Sequence, residues 1–387
     1  MLTGKKPAGC QYCWNIEGLD KNLISDRHIR TGTLYKDERI NEIKNNSADF
    51  NVGLEYVEVS FSNVCNFKCG YCHPKASSKY FSEIKQFGPY IKSKNHRCDV
   101  DYLEIYEEES NPYLEAWWKW WPELIKTLKI LRITGGEPLL QKSTYKMLNF
   151  LNEFPNQFLE LNVNSNLGSR EEIILDFSKK AQALVDNKKI KQFKLFSSID
   201  TWGPQAEYIR TGLDLNLFEN NLKNYLRITD SPLTLMMTFN IFSVVSFEKV
   251  LRKILEWRLE FQNTDKNYFH RIRFDISYLK EPLQYDINIL PKIEYMKYMD
   301  SHLQFIKDNV DDSKKDKFSY MELQRFLRIH EYMKNTIYSE EKIIEGRTDF
   351  FNFFNEQDRR RNTNLLKTFP EMEDFWNQCQ EVAEACG

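Results

Sequence analysis

Three cysteines share an eight-residue stretch, Cys65-Asn66-Phe67-Lys68-Cys69-Gly70-Tyr71-Cys72, a CxxxCxxC spacing with an aromatic residue directly before the last thiol. Thiolate is the soft ligand that iron–sulfur clusters use, so three thiolates on one short loop can hold three irons of a four-iron, four-sulfur (4Fe-4S) cluster. A fourth protein ligand is missing nearby. That would leave one iron open to a small molecule, as an incompletely ligated zinc keeps a catalytic position. On spacing alone a zinc site, or three unlinked buried thiols, stays open, although zinc ribbons usually pair CxxC knuckles.

The elements that must position this loop follow from hydrophobic pattern. Short β-rich runs recur at Glu55–Phe61, Ile130–Thr134, Leu159–Val163, Phe193–Ile199, Leu233–Ile241 and Arg271–Tyr278. Helical patterns lie between them at Tyr145–Phe154, Arg170–Val185, Leu217–Ile228 and Phe247–Phe261. Strand alternating with helix predicts parallel βαβ units and a curved, partly closed barrel. In such barrels chemistry sits where strands end and the following loops begin. The cysteine loop follows the first strand, as that rule requires. After about residue 280 the pattern is helical only, over Ile293–Val310, Tyr320–Thr336 and Pro370–Ala385. Three parts are expected: an N-terminal extension over 1–50, the barrel over 51–280 and a helical region over 281–387.

Composition narrows the class further. The 54 basic against 56 acidic residues leave a net charge of −2, which removes the bulk electrostatic argument for a dedicated nucleic-acid binder. No apolar run approaches the ~20 residues of a membrane-spanning helix, and Met1 to Cys13 lacks the apolar core of a secretion signal. A cytoplasmic, reducing setting is expected, where cysteines serve as ligands, reactive thiols or small core residues rather than disulfides.

The cysteine stretch resembles the CxxxCxΦC signature of the radical S-adenosylmethionine (radical SAM) superfamily, Φ being aromatic. The second strand runs into Gly135-Gly136-Glu137-Pro138, similar to that family's GGEP. The resemblance implies a partial (β/α)6 TIM-like barrel and a 4Fe-4S cluster on Cys65, Cys69 and Cys72. It also implies that S-adenosyl-L-methionine is bound at the unique iron and cleaved there to a hydrogen-abstracting radical. Gly135 and Gly136 would let backbone approach the methionyl ammonium, Glu137 would order it, and Pro138 would stiffen the turn. Asn164 and Asn166, in a segment resembling the family's TNG or SNG with Leu167 for glycine, are expected at ribose or adenine. Ser198 and Asp200 belong to a Ser-Ile-Asp segment with Thr201 in place of the family's glycine. With Arg210 ten residues on, the Ser would hold the methionyl carboxylate, for which a planar guanidinium fork is suited. Tyr71 would pack on adenine. An external reductant such as flavodoxin or ferredoxin is implied.

Cys10-Gln11-Tyr12-Cys13, with Phe354–Arg361 and Phe369–Met372, resembles a bacterial and phage group of radical SAM proteins with twitch or SPASM-like regions. In that group the CxxC belongs to a longer cysteine segment, absent here upstream of Cys10, so an auxiliary iron–sulfur cluster is only a secondary expectation. Cys379 falls on the apolar face of the last helix, as a packed thiol or as a hydrogen-atom donor similar to the late cysteine of radical SAM peptide epimerases. Trp117, Trp118, Trp120 and Trp121 read as core packing, and Arg359–Arg361 as a salt-bridged helix face or a grip on an acidic substrate. The expected substrate is a peptide, epimerised or otherwise modified. A small carbohydrate or nucleoside is the alternative, and a non-catalytic zinc protein the rival from another class.

Overall fold

A computed structural model describes residues 8–11, 14, 37–46, 53–91, 108–262 and 268–386. Six strands, β1 (Tyr56–Ser60), β2 (Ile130–Thr134), β3 (Asn156–Ser165), β4 (Ile190–Ser198), β5 (Leu233–Phe239) and β6 (Ile272–Tyr278), form one sheet. They lie in sequence order, each parallel to the next. Among the described residues β1 and β6 do not pair, so the barrel stays open at one side. All six lie within a few residues of their expected places. β3 begins earlier than expected because an irregularity between Asn156 and Glu160 lets its first residue pair with Ile190.

Strand alternation sets the two faces. Val57, Leu131, Leu161 and Phe193 share one register row, and Leu195, Leu233 and Ile272 another. Apart from the partly exposed Val57, these side chains are at most 2% exposed and form the core between sheet and helices. Full burial of each contributes about 1.5 to 3 kcal/mol.

The described helices are α1 (Asp37–Asn45), α2 (Ser78–Phe87), α3 (Pro112–Leu124), α4 (Lys142–Glu153), α5 (Glu171–Asp186), α6 (Pro204–Ile209) and α7 (Leu215–Ile228). They continue with α8 (Ser243–Phe261), α9 (Lys292–Asp308), α10 (Tyr320–Asn335), α11 (Glu340–Arg361), α12 (Leu365–Thr368) and α13 (Glu373–Cys386). Local chemistry marks their starts: Asp214 caps α7 through Asn216 and Leu217 N–H, and Ser319 with Glu322 closes a capping box on α10. None of these helices is long and apolar enough to cross a membrane.

α11 was not legible as a helix. Its Phe350, Phe351, Phe353 and Phe354 clump rather than recur evenly, and it holds a mid-helix glycine, Gly346, where a Cβ would press on Ile289 and Leu283. In place, those rings pack with Phe242, Tyr285 and Phe369 over the strand-end side of the barrel. The tryptophans pack as expected: Trp117 and Trp121 are buried, and Trp118 stacks between Phe61 and Phe150, while Trp120 stays 44% exposed.

Candidate functional site

The loop after β1 is fixed backbone atom by backbone atom. Cys65 N–H donates to Ser78 Oγ (3.1 Å), Ser77 Oγ donates to the Phe67 carbonyl (2.6 Å), and Lys68 N–H donates to the Thr211 carbonyl (2.9 Å). The Asn66 amide donates to the Gly168 carbonyl at 2.8 Å. Gly70 is required where it stands: a Cβ would strike Tyr285 Oη and Gln357 Oε1. The loop is thus wedged between the strand ends and α11.

Burial pushes the Cys65 and Cys72 thiols up to about 12, and the charges of neighbouring thiols push each further the same way. Cys69 is raised as well, by burial first. Three neighbouring thiols that resist ionisation alone need cationic charge among them to exist as thiolates, which is what an iron–sulfur cluster would supply. Among the described residues no group of three or more His, Cys, Asp or Glu closes on a single metal ion. A cluster takes one thiolate per iron and does not require such closure, so the donor set fits that group. Two N–H groups already face the Cys65 sulfur, from Phe67 backbone at 3.4 Å and the Asn166 amide at 3.9 Å.

The Gly135–Pro138 turn packs directly on this loop. Gly136 N–H donates to the Ser62 carbonyl (3.2 Å) and Glu137 N–H to the Val64 carbonyl (2.6 Å). A Cβ on Gly136 would collide with Asn63 and Val64 backbone, and Gly135 has φ +115°, where L side chains are strained. The close approach these glycines permit is therefore, first of all, that of the cysteine loop's own backbone. Glu137 is fully buried, and its carboxylate accepts from Leu139 N–H, Ser165 Oγ and Asn166 N–H (2.6 Å). It ties the end of β2 to the end of β3, and burial raises it to about 7. Pro138 opens the buried turn that follows.

The other expected cofactor contacts already have partners in the protein. The Asn164 Oδ1 accepts from Arg132 Nε (3.0 Å), and the Asn166 amide bridges to Asn66 Oδ1 (2.7 Å) as well as to Cys65. Arg210 grips Asp200 with Nε and one terminal nitrogen, both at 2.9 Å. Asp200 also accepts from Tyr71 Oη (2.6 Å) and Thr238 N–H (2.9 Å). Tyr71 lies edge-on to Tyr285. Ser198 ends β4, partly exposed, two residues before Asp200.

Some groups lie elsewhere. Cys379 is fully buried in α13, with Arg347 of α11 and Tyr295 of α9 as its polar neighbours. Cys10 is partly exposed, while Cys13 and Cys98 fall outside the described residues. The arginine run divides: Arg359, 61% exposed and paired with Glu356 at 2.6 Å, is the expected salt-bridged helix face, and the next two are neither solvated nor free to grip a substrate. The Arg360 and Arg361 side chains are 2% and 1% exposed; Arg361 pairs with Glu83 at 2.8 Å and Arg360 binds the Gly88 carbonyl. Sequence reading missed Glu83, which joins Arg361 to Lys68 of the cysteine loop, because its partners come from 15 and 278 positions away.

No family model matches the chain. It is similar to the GTP 3′,8-cyclase of Helicobacter pylori, 28% identical over 117 residues, 30% of this chain and 29% of that one. The GTP 3′,8-cyclase of Sulfurimonas denitrificans is 23% identical over 270 residues, 69% of this chain and 70% of that one. With the Campylobacter lari enzyme the match is 25% over 115 residues, so the chain spans under a third of the length of the first relatives it matches. Among solved structures, native anSMEcpe with bound AdoMet and Cp18Cys peptide aligns at a TM-score of 0.42 and 17% identity, over 66% of this chain and 61% of that one.

An open barrel of parallel strands, with three thiols on its first strand-end loop and a glycine turn packed on that loop, is a partial TIM-like barrel with a helical extension. The motifs and the similarity to the cyclases together support membership of the radical SAM superfamily.

Proposed function

We propose that the chain is a radical SAM enzyme that removes a hydrogen atom from an unactivated C–H bond of a small, polar substrate. Cys65, Cys69 and Cys72 would hold the cluster, with S-adenosyl-L-methionine beside them at the strand ends. When bound, the reduced cluster supplies the electron that cleaves the sulfonium and so gives access to hydrogen abstraction.

The chain's own residues would position and shield. The Asn166 amide and Phe67 N–H stabilise negative charge on the Cys65 sulfur. Asp200 holds Arg210 and Tyr71 in one orientation at the end of β4, which leaves a guanidinium edge aimed without rotamer freedom. Ser198 is the polar group next to that pair. α11 and Tyr285 cover the loop and would exclude water from it, which strengthens every electrostatic interaction inside.

The observation that carries this reading is the placing of three thiols, Cys69 buried and Cys65 and Cys72 partly so, on one loop against which a glycine turn packs at two adjacent strand ends. A peptide substrate, first choice from sequence, is supported less well than a small polar one, because one inward row across β1 to β4 is Glu58, Arg132, Asn162 and Lys194. Iron and acid-labile sulfide should be measured in anaerobically reconstituted protein. Near-equal amounts are expected in the wild type and loss in Cys65→Ala, Cys69→Ala and Cys72→Ala; zinc alone, bound equally by all four proteins, would reject the proposal.

A further inference from the structure

Inward positions of a closed barrel are ordinarily filled by branched apolar side chains. In this chain one inward row reads Glu58, Arg132, Asn162 and Lys194, in direct register across β1 to β4. One pleat nearer the strand ends stand Asn164 and Phe196, also in register. The row therefore sits about 6 to 7 Å deeper along the strands than Thr134, the residue that leads into the Gly135 turn.

Arg132 is held but not used up. Its Nε donates to Asn164, its guanidinium lies 4.5 Å from the Phe196 ring centroid, and the Glu58 carboxylate is 3.9 Å away. Among the described residues its two terminal nitrogens have no hydrogen-bond partner. Asn162 is 5% exposed; its amide donates to Glu160 at 3.0 Å, while its Oδ1 is buried with no partner among the described residues. An acceptor left so costs about 1 to 3 kcal/mol unless something donates to it. Glu160, in contrast, is fully engaged by Lys194 (2.8 Å), Gln192 and Asn162. Glu58 accepts from Tyr56 and Thr134 hydroxyls and is 48% exposed.

Counting Glu160, one pleat deeper, the charges here cancel, Arg132 against Glu58 and Lys194 against Glu160, so a phosphate or carboxylate would meet two carboxylates as well as two cations. A hydroxyl group meets no such conflict, since one oxygen accepts from the guanidinium while its hydrogen goes to Asn162 Oδ1 or Glu58. We infer that Glu58, Arg132, Asn162 and Phe196 form a polyol subsite that takes the hydroxylated ring of a sugar or nucleoside substrate, below the strand-end loops. The inference rests on the proposed function and names the substrate class for it.

The test is isothermal titration of cluster-reconstituted protein, first with S-adenosylhomocysteine and then, in its presence, with D-glucose, adenosine, guanosine and the tetrapeptide Gly-Ser-Leu-Gly. At least one of the three hydroxylated probes should bind and the tetrapeptide should not. Arg132→Gln and Asn162→Leu should each weaken that binding tenfold or more, while iron content and S-adenosylhomocysteine affinity stay at wild-type values. Asn162→Leu should also melt no lower than wild type, because it removes an unsatisfied buried carbonyl; a merely structural asparagine would lower the melting temperature. The subsite is overturned if no hydroxylated probe binds, if both variants bind it as wild type does, or if both lose S-adenosylhomocysteine equally. Wild-type protein that takes up neither cluster nor S-adenosylhomocysteine would instead defeat the proposed function itself.

Discussion

Asp200 and Arg210 meet in a two-pronged ion pair at the end of β4, their side chains 0% and 8% exposed. The aspartate is also the acceptor for Tyr71, one residue before the last thiol of the cysteine loop, so β4, the loop and the segment after α6 share one carboxylate. Removing one partner of a buried pair leaves an uncompensated charge. Asp200→Ala is therefore expected to cost about 3 to 5 kcal/mol of stability by urea denaturation. A cost below about 1 kcal/mol would mean that solvent reaches the pair.

Gly136 lies against the backbone of Asn63 and Val64, and that backbone cannot yield cheaply. Gly136→Ala should fold yet bind much less iron on reconstitution, because the cysteine loop must move. Gly9→Ala, whose Cβ would meet nothing within 4 Å, is the control and should bind iron as wild type does. Equal iron in both variants would speak against the packing of turn on loop.

Glu83 has a definite pH signature. Burial opposes its ionisation, but hydrogen bonds and charge from Arg361, Lys68 and Tyr90 outweigh it and hold the carboxyl at about 2, below the ordinary 4.5. A carboxyl depressed in the folded state contributes stability that is present above its unfolded value and lost as pH falls through the folded one. The stability advantage of wild type over Glu83→Gln should be constant above about pH 5 and shrink between about 4.5 and about 2. Paired denaturation curves across that range check it; an advantage that grows on acidification would contradict the assignment.

Cys379 separates packing from chemistry. Its burial among α13, α11 and Tyr295 leads us to expect that Cys379→Ala loses about 1 kcal/mol and keeps product yield, measured once a substrate is in hand. Loss of product with cofactor cleavage retained would instead assign it the hydrogen-donor role.

The fold was legible where the alternation of Val57, Val59, Leu131 and Ile133 marks short strands and where the cysteines follow the first of them. The partners of the site were not. That Glu137 ties two strand ends was not legible, because Ser165 and Asn166, from which it accepts, stand 28 and 29 positions on. Arg360 and Arg361 look like the same charged surface as Arg359 because nothing local announces the Gly88 carbonyl or Glu83. The inward row could have been suspected from polar residues at alternate strand positions, but its register across β1 to β4 emerges only when the strands are ordered.

We propose that three thiols on one loop equip this barrel to cleave S-adenosyl-L-methionine. The most direct measurement is 5′-deoxyadenosine released from that nucleotide by anaerobically reconstituted, dithionite-reduced protein. Wild type should form it and Cys69→Ser should not. Iron-loaded wild-type protein that forms none, alone or with sugars, nucleosides and peptides added, would contradict the account.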